Sequence, residues 1–391
     1  MLSGALTACT QAPQKPAAED DGPNRLGKAI SEYGERSPHE KLKRLKPDVK
    51  NPQIGATRTP LAETHGIITP ASLHFERHHS GVPSIDPAQH QLLIHGLVDR
   101  PTVFTLDDIK RLPSVSRVHF VECAGNSGSE WGPKTAPDVQ RSHGLASCSE
   151  WTGVSLKLLL EECGLQKAGK WLVAEGADAC KMSRSVPIEK ALDDAMIAYG
   201  QNGEAIRPEQ GYPMRLMLPG FEGNINVKWL RRLKVVDQPA MTKDETSKYT
   251  ELMPDGKAWI FTLTMDQKSV ITYPSGGQKL TGPGFHEIRG LAWSGHGKIT
   301  RVEVSTDDGK TWRNAQLQEP VLPKAFTRFR MPWKWEGGEV TVLSRSTDES
   351  GTVQPMLETL VKERGKNSAY HNNVVKAWKI GADGSVKNVD A

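Results

Sequence analysis

Val118-His119-Phe120-Val121-Glu122-Cys123-Ala124-Gly125-Asn126 reads as a strand that runs into a tight loop. Val and Phe favour an extended backbone, and the Gly-Asn pair turns a chain at low cost. A thiol at that junction can point away from the sheet, and the glycine lets another group come close to the backbone. Taken alone the cysteine has two readings, a small buried hydrophobe or a ligand, and the first is the commoner.

Working outward, Gln91-Leu92-Leu93-Ile94-His95-Gly96 reads as a strand, and Thr105 caps a helix that starts in Leu106-Asp107-Asp108-Ile109. Val154 to Cys163 is expected to be a helix stopped by Gly164, with Met214–Leu218 and Leu233–Val236 as strands. Strands mixed with short helices make residues 61–238 an α+β domain. From residue 239 to 391 the texture changes to short alternating strands. Ile299–Ser305, then Asp307-Asp308-Gly309, then Lys310-Thr311-Trp312 reads as a hairpin, because Asp-Gly supplies positive φ. Turn signals recurring on this scale predict a β-sandwich of immunoglobulin type. Residues 1–60 are read as a signal remnant followed by an extended arm, with Cys9 in Leu6-Thr7-Ala8-Cys9 resembling a lipid attachment point.

Composition removes several classes. Fifty Lys and Arg against 46 Asp and Glu leave a net charge of +4, too small a surplus for a dedicated nucleic-acid binder. Apolar residues make up 37% of the chain, and no stretch approaches the ~20 apolar residues of a membrane-spanning helix. Five cysteines, an odd number at irregular spacing, argue against a disulfide framework, and none begins a haem or zinc motif. Gly164-Leu165-Gln166-Lys167-Ala168-Gly169-Lys170 mimics a phosphate loop, but Trp171 replaces the hydroxyl residue that would hold magnesium, and the segment follows a helix. Nucleophile-elbow, H-E-x-x-H and dinucleotide patterns are absent from the sequence.

Five blocks change the reading of Cys123. Phe75-Glu76-Arg77-His78-His79, Cys123-Ala124-Gly125-Asn126, Trp151-Thr152-Gly153-Val154, Gly211-Tyr212-Pro213-Met214-Arg215 and Val227-Lys228-Trp229-Leu230 resemble, in this order, those of the sulfite oxidase family of molybdenum enzymes. The resemblance extends over residues 60–380 and implies a molybdopterin domain followed by a dimerisation domain. It implies one Mo-molybdopterin per chain with Cys123 as the protein's metal ligand; thiolate is a soft ligand suited to such a metal. The pterin would lie among Phe75, His78, His79, Asp178, Gln210, Arg215, Asn226 and Lys228, with Gln210 standing where the animal enzymes have histidine. Arg77 matches the oxyanion-binding arginine, Tyr249 the active-site tyrosine and Trp151 the tryptophan lining the pocket.

The chain departs from the family at two further arginine positions, where it has Ser127-Gly128 and His371. A desolvated dianion with fewer positive partners binds poorly, so a substrate other than free sulfite is implied. The resemblance is strongest to the sulfane dehydrogenase branch, whose substrate is sulfane sulfur on a carrier protein. It implies electron transfer to a c-type cytochrome subunit, no haem in this chain, a homodimer through the C-terminal domain, and a periplasmic location reached by export of the folded protein. His371 is placed with the catalytic residues as a group able to take up a proton. Two other readings stay open: a periplasmic sulfite dehydrogenase acting on free sulfite, and a non-catalytic binding or assembly module.

Overall fold

The strand that carries Cys123 runs Ser114–Glu122 and pairs along its whole length with Ala146–Ser155. Met196–Gln201 continues this sheet, flanked by Glu204–Ala205 and Arg215–Met217, all antiparallel. Gly153 allows the close pass, since a Cβ there would stand 2.2 Å from the Ile197 carbonyl. A second sheet is ordered Thr102–Thr105, Gln91–Gly96, Leu230–Val236, Trp171–Gly176, Ser183–Pro187, with one parallel pairing, between Gln91–Gly96 and Leu230–Val236. The short helices close an apolar core that includes Leu92, Ile94, Leu159, Leu160, Leu216 and Leu233.

This structure is a computed structural model, and it describes residues 29–133 and 135–391. The leader and Cys9 lie outside the described residues. Residues 42–391 form one compact unit. Within it, Gly55–Ala56 pairs with Arg77–His78, the strand that enters the candidate site.

The helix expected over Val154–Cys163 is shorter. It runs Leu156–Cys163, because Val154 and Ser155 are still strand, paired with Ile197 and Met196. Gly164 ends it at φ +73°, its N–H bonded to the carbonyls of Leu160 and Glu161.

The C-terminal half is a β-sandwich. One sheet is ordered Lys268–Tyr273, Gly284–Trp293, Thr327–Trp335, Gln316–Gln318, and the other Arg313–Asn314, Ile299–Ser305, Val340–Asp348, Lys376–Ile380, Val386–Val389. The turn predicted at Asp307–Gly309 is present, with Asp308 at φ +62° and Gly309 at φ +82°, but the returning strand is Arg313–Asn314, paired with Val304 and Glu303, and Lys310–Trp312 stay in the loop. Leu61, Phe120, Val139, Ala146 and Cys148 of the first half share one buried cluster with Trp293, Phe326 and Trp378 of the second. The two halves therefore have a common core. Among the described residues no helix is long and apolar enough to cross a membrane.

Candidate active site

A cleft opens beside the end of the Cys123 strand. Phe75, Arg77, His78, His79, Cys123, Asp178, Gln210, Arg215, Asn226, Lys228 and Tyr249 line it together. These positions are up to 174 residues apart in the chain (249 minus 75), and the two sheets with their connecting loops bring them to one wall.

The Cys123 loop is held from several sides. Cys123 N–H donates to Leu145 O at 2.9 Å, and Asn126 N–H donates to Cys123 O at 2.8 Å. The Asn126 amide donates to Glu122 Oε1 at 2.8 Å and accepts from Leu145 N–H at 3.0 Å. Burial pushes the Cys123 thiol above its ordinary pKa, with Arg77 pulling the other way. Among the described residues no group of three or more His, Cys, Asp or Glu is arranged to hold a metal. A metal held by Cys123 would take its remaining donors from a cofactor.

Cations crowd the inner wall. Arg215 donates to Gln210 O at 2.9 Å and Asn226 O at 3.0 Å, and its guanidinium lies 4.9 Å from the Trp151 ring. Lys228 Nζ stands 2.9 Å from His78 Nδ1 and donates to Glu209 O at 3.0 Å and Arg77 O at 3.2 Å. Burial lowers both, Lys228 to about 7 with Arg215 adding repulsion. Two cations held at such cost, together with the unpartnered buried nitrogens His74 Nε2 and Arg215 Nε, suit a large anionic, polar group. Gln210 donates to Phe75 O at 2.7 Å. Asp178 accepts from Cys180 Sγ at 2.8 Å and Ser80 Oγ at 3.4 Å. His79 Nε2 stands 3.5 Å from the Tyr249 hydroxyl, and burial with the neighbouring Arg77 and Lys248 lowers that imidazole to about 4.

Two expectations, Trp151 and His371, are placed differently, and a third, Asn226, lines the cleft with its amide engaged elsewhere. Trp151, expected in the pocket wall, is fully buried behind Arg215, its indole N–H donating to His119 O at 3.2 Å; the strand turns this side chain inward to back the guanidinium. The Asn226 amide is spent on its own loop, accepting from Leu218 N–H at 2.7 Å and donating to Glu222 O at 3.0 Å. His371 does not line the cleft: its Nε2 stands 3.4 Å from Glu222 Oε2, and its N–H donates to Ala124 O at 2.9 Å.

Sequence reasoning missed the buried charges behind the wall. Arg184 donates to Glu222 Oε1 at 2.9 Å, and its guanidinium lies 4.9 Å from the Tyr249 ring. Burial alone would raise Glu222, but His371 and Arg184 hold it down to about 2. On the other side Lys268 Nζ donates to Glu122 Oε1 at 2.6 Å and lies 2.9 Å from Ser127 Oγ, while Trp293 donates to Glu122 Oε2 at 2.6 Å. Glu122 was the available signal, a charge that directly follows the buried apolar pair Phe120 and Val121. Of the other thiols, Cys148 and Cys163 are core residues, and Cys180 is the donor to Asp178.

Comparisons with known proteins give the family. The oxidoreductase molybdopterin binding domain family matches residues 79–243, and the Mo-co oxidoreductase dimerisation domain family matches residues 259–378. The crystal structure of the sulfane dehydrogenase SoxCD from Paracoccus pantotrophus superposes with a TM-score of 0.92 at 45% identity, covering 94% of this chain and 96% of that one. The mitochondrial sulfite oxidase of Drosophila melanogaster is 32% identical over 384 residues, 90% of this chain and 66% of its own length. An NADH nitrate reductase of Solanum lycopersicum is 32% identical over 332 residues, 74% of this chain but 36% of that protein. The chain spans little more than a third of the nitrate reductases it matches. It belongs to the sulfite oxidase family of molybdopterin oxidoreductases.

Proposed function

We propose that this chain is the molybdenum subunit of a sulfane dehydrogenase, oxidising sulfane sulfur carried on a partner protein and passing electrons to a c-type cytochrome subunit. The observation that carries the reading is the 45% identity to SoxCD across nearly the whole of both chains. The cleft supports it: among the described residues Arg77 and Arg215 are the arginines that line it, and Ser127 and His371 turn to interior partners instead of supplying further cations.

A molybdopterin cofactor, when bound, supplies two-electron oxidation of sulfur with oxygen drawn from water. Cys123 would hold the metal, and Arg215 and Lys228 the pterin phosphate through charge-assisted hydrogen bonds. Asp178 would accept from the pterin amino groups, near His78, His79, Gln210 and the backbone at Phe75 and Asn226. Arg77 would hold developing anionic oxygen, and the Tyr249 hydroxyl, whose pKa burial raises, stays protonated to donate to it. The C-terminal sandwich would join two copies, and the assembly would work in the periplasm.

The test is cytochrome reduction, comparing free sulfite with thiosulfate-loaded carrier protein at equal sulfur concentration. Reduction by the carrier adduct with little from sulfite is the expected result. Efficient reduction by sulfite alone would make the chain a sulfite dehydrogenase, and absence of bound molybdenum from a full-length preparation would leave the binding-module reading.

A further inference from the structure

The wall of the cleft beside Cys123 carries a buried carboxylate with no role so far. Glu222 is 2% exposed, and its N–H donates to Leu263 O at 2.7 Å. The turn that follows presses on the metal-ligand loop: a Cβ on Gly223 would stand 2.8 Å from Glu122 O and 3.3 Å from Cys123 N, and Gly223 and Asn224 line the cleft. Behind the wall, Arg184 donates to Glu222 Oε1 at 2.9 Å and its Nε stands 3.5 Å from Glu245 Oε1. One guanidinium therefore faces two carboxylates. The Glu222 charge reaches both Cys123 and Tyr249, where it opposes further negative charge.

We propose that Glu222 is a specificity-determining residue: its carboxylate, fixed between Arg184 and His371 beside the Cys123 loop, repels a free dianion such as sulfite and so favours sulfane sulfur presented on a protein arm. This rests on the substrate reading above. Missing arginines would weaken sulfite binding only passively, whereas a fixed negative charge selects against it, and specificity is the difference between the two affinities. A carrier arm brings binding energy from contacts outside the cleft and tolerates the carboxylate.

Glu222→Gln tests it, since the amide oxygen keeps an acceptor for Arg184 while the charge is removed and the oxygen that faces His371 becomes an amide nitrogen. In the full chain, sulfate, an unreactive dianion, is titrated by tryptophan fluorescence, with Trp229 in the cleft as reporter. The variant is expected to bind sulfate about tenfold more tightly, equivalent to about 1.4 kcal/mol. In the complex with the cytochrome, kcat/KM for sulfite rises by a similar factor while that for the carrier adduct changes less than twofold. Sulfate affinity unchanged within twofold, or a parallel fall for both substrates, overturns the proposal. Should Glu222→Gln fail to fold, His371→Lys pairs the carboxylate with an ammonium and must move sulfate affinity in the same direction. Wild-type enzyme that already turns over free sulfite as well as the carrier adduct refutes the substrate reading. A carrier-preferring wild type whose variants gain no affinity for sulfate refutes the role of Glu222 alone.

Discussion

Cys123 offers the wall of the cleft a single soft donor, and the loop around it is fixed by Asn126, Glu122 and Leu145 independently of the sulfur. Cys123→Ser is therefore expected to lose bound molybdenum and more than about 100-fold of turnover, beyond the ten- to hundredfold of a supporting group, while its thermal midpoint stays within about 2 °C of cofactor-free wild type. Metal analysis and a melt on the same preparation check this; full molybdenum content would refute the ligand assignment. Lys228 yields a pH prediction. Its folded pKa, about 7 in the cofactor-free chain, lies below the ordinary 10.5, so between these values the unfolded chain holds a proton that the folded chain lacks. This group's contribution to stability therefore rises with pH across that window and is least below about pH 7. An anion bound against Lys228 restores the proton. The affinity of the cofactor-free chain for a simple phosphate monoester should fall as pH rises from 7 to 9, by at most about tenfold per pH unit, and flatten in Lys228→Met. Calorimetric titration at several pH values measures it, and an equally steep profile in the variant would exclude Lys228.

Among the elements, the helix Leu106–Arg111 was readable from sequence because its signal is local. Thr105 Oγ1 accepts from Asp108 N–H at 3.1 Å, and Asp108 Oδ2 accepts from Thr105 N–H at 2.9 Å, a reciprocal cap within four residues. Thr105→Ala should cost about 1 kcal/mol in urea denaturation and leave molybdenum content unchanged. The Asp308-Gly309 turn and the Gly164 helix stop were legible for the same reason, since each depends on a backbone conformation written at one or two positions. Site residues matched by ordered blocks, such as Arg77, Arg215 and Lys228, could be named before their geometry was known. Trp151 shows the limit: a block match gives the position, while the direction of its side chain depends on strand pairing and on Arg215, 64 residues away (215 minus 151). Arg184 and Glu222 were illegible for a related reason, because nothing near either one says that a buried cation meets its carboxylate 38 residues on.

In the whole molecule, the common core and the Glu122–Lys268 pair make the two halves energetically inseparable. Lys268 comes from the sandwich and Glu122 from the strand that leads into Cys123, and both are at most 1% exposed. A buried pair of this kind adds little net stability over an apolar pair, but removing one partner leaves an uncompensated charge and costs about 3–5 kcal/mol. Lys268→Met should therefore lower a single cooperative melting transition of the chain, and adding Glu122→Gln should recover part of the loss. If the halves were independent, calorimetry would show two transitions, with Lys268→Met moving only the one that belongs to the sandwich. The same variant also tests how the dimerisation half bears on the site. Ser127 and Trp293 both bond to this pair, so its loss loosens the loop that carries Cys123. Lys268→Met is expected to retain less molybdenum after dialysis than Lys268→Met/Glu122→Gln, although neither residue lines the cleft. Equal retention in the two would show that the sandwich stabilises the fold without holding the Cys123 loop in place.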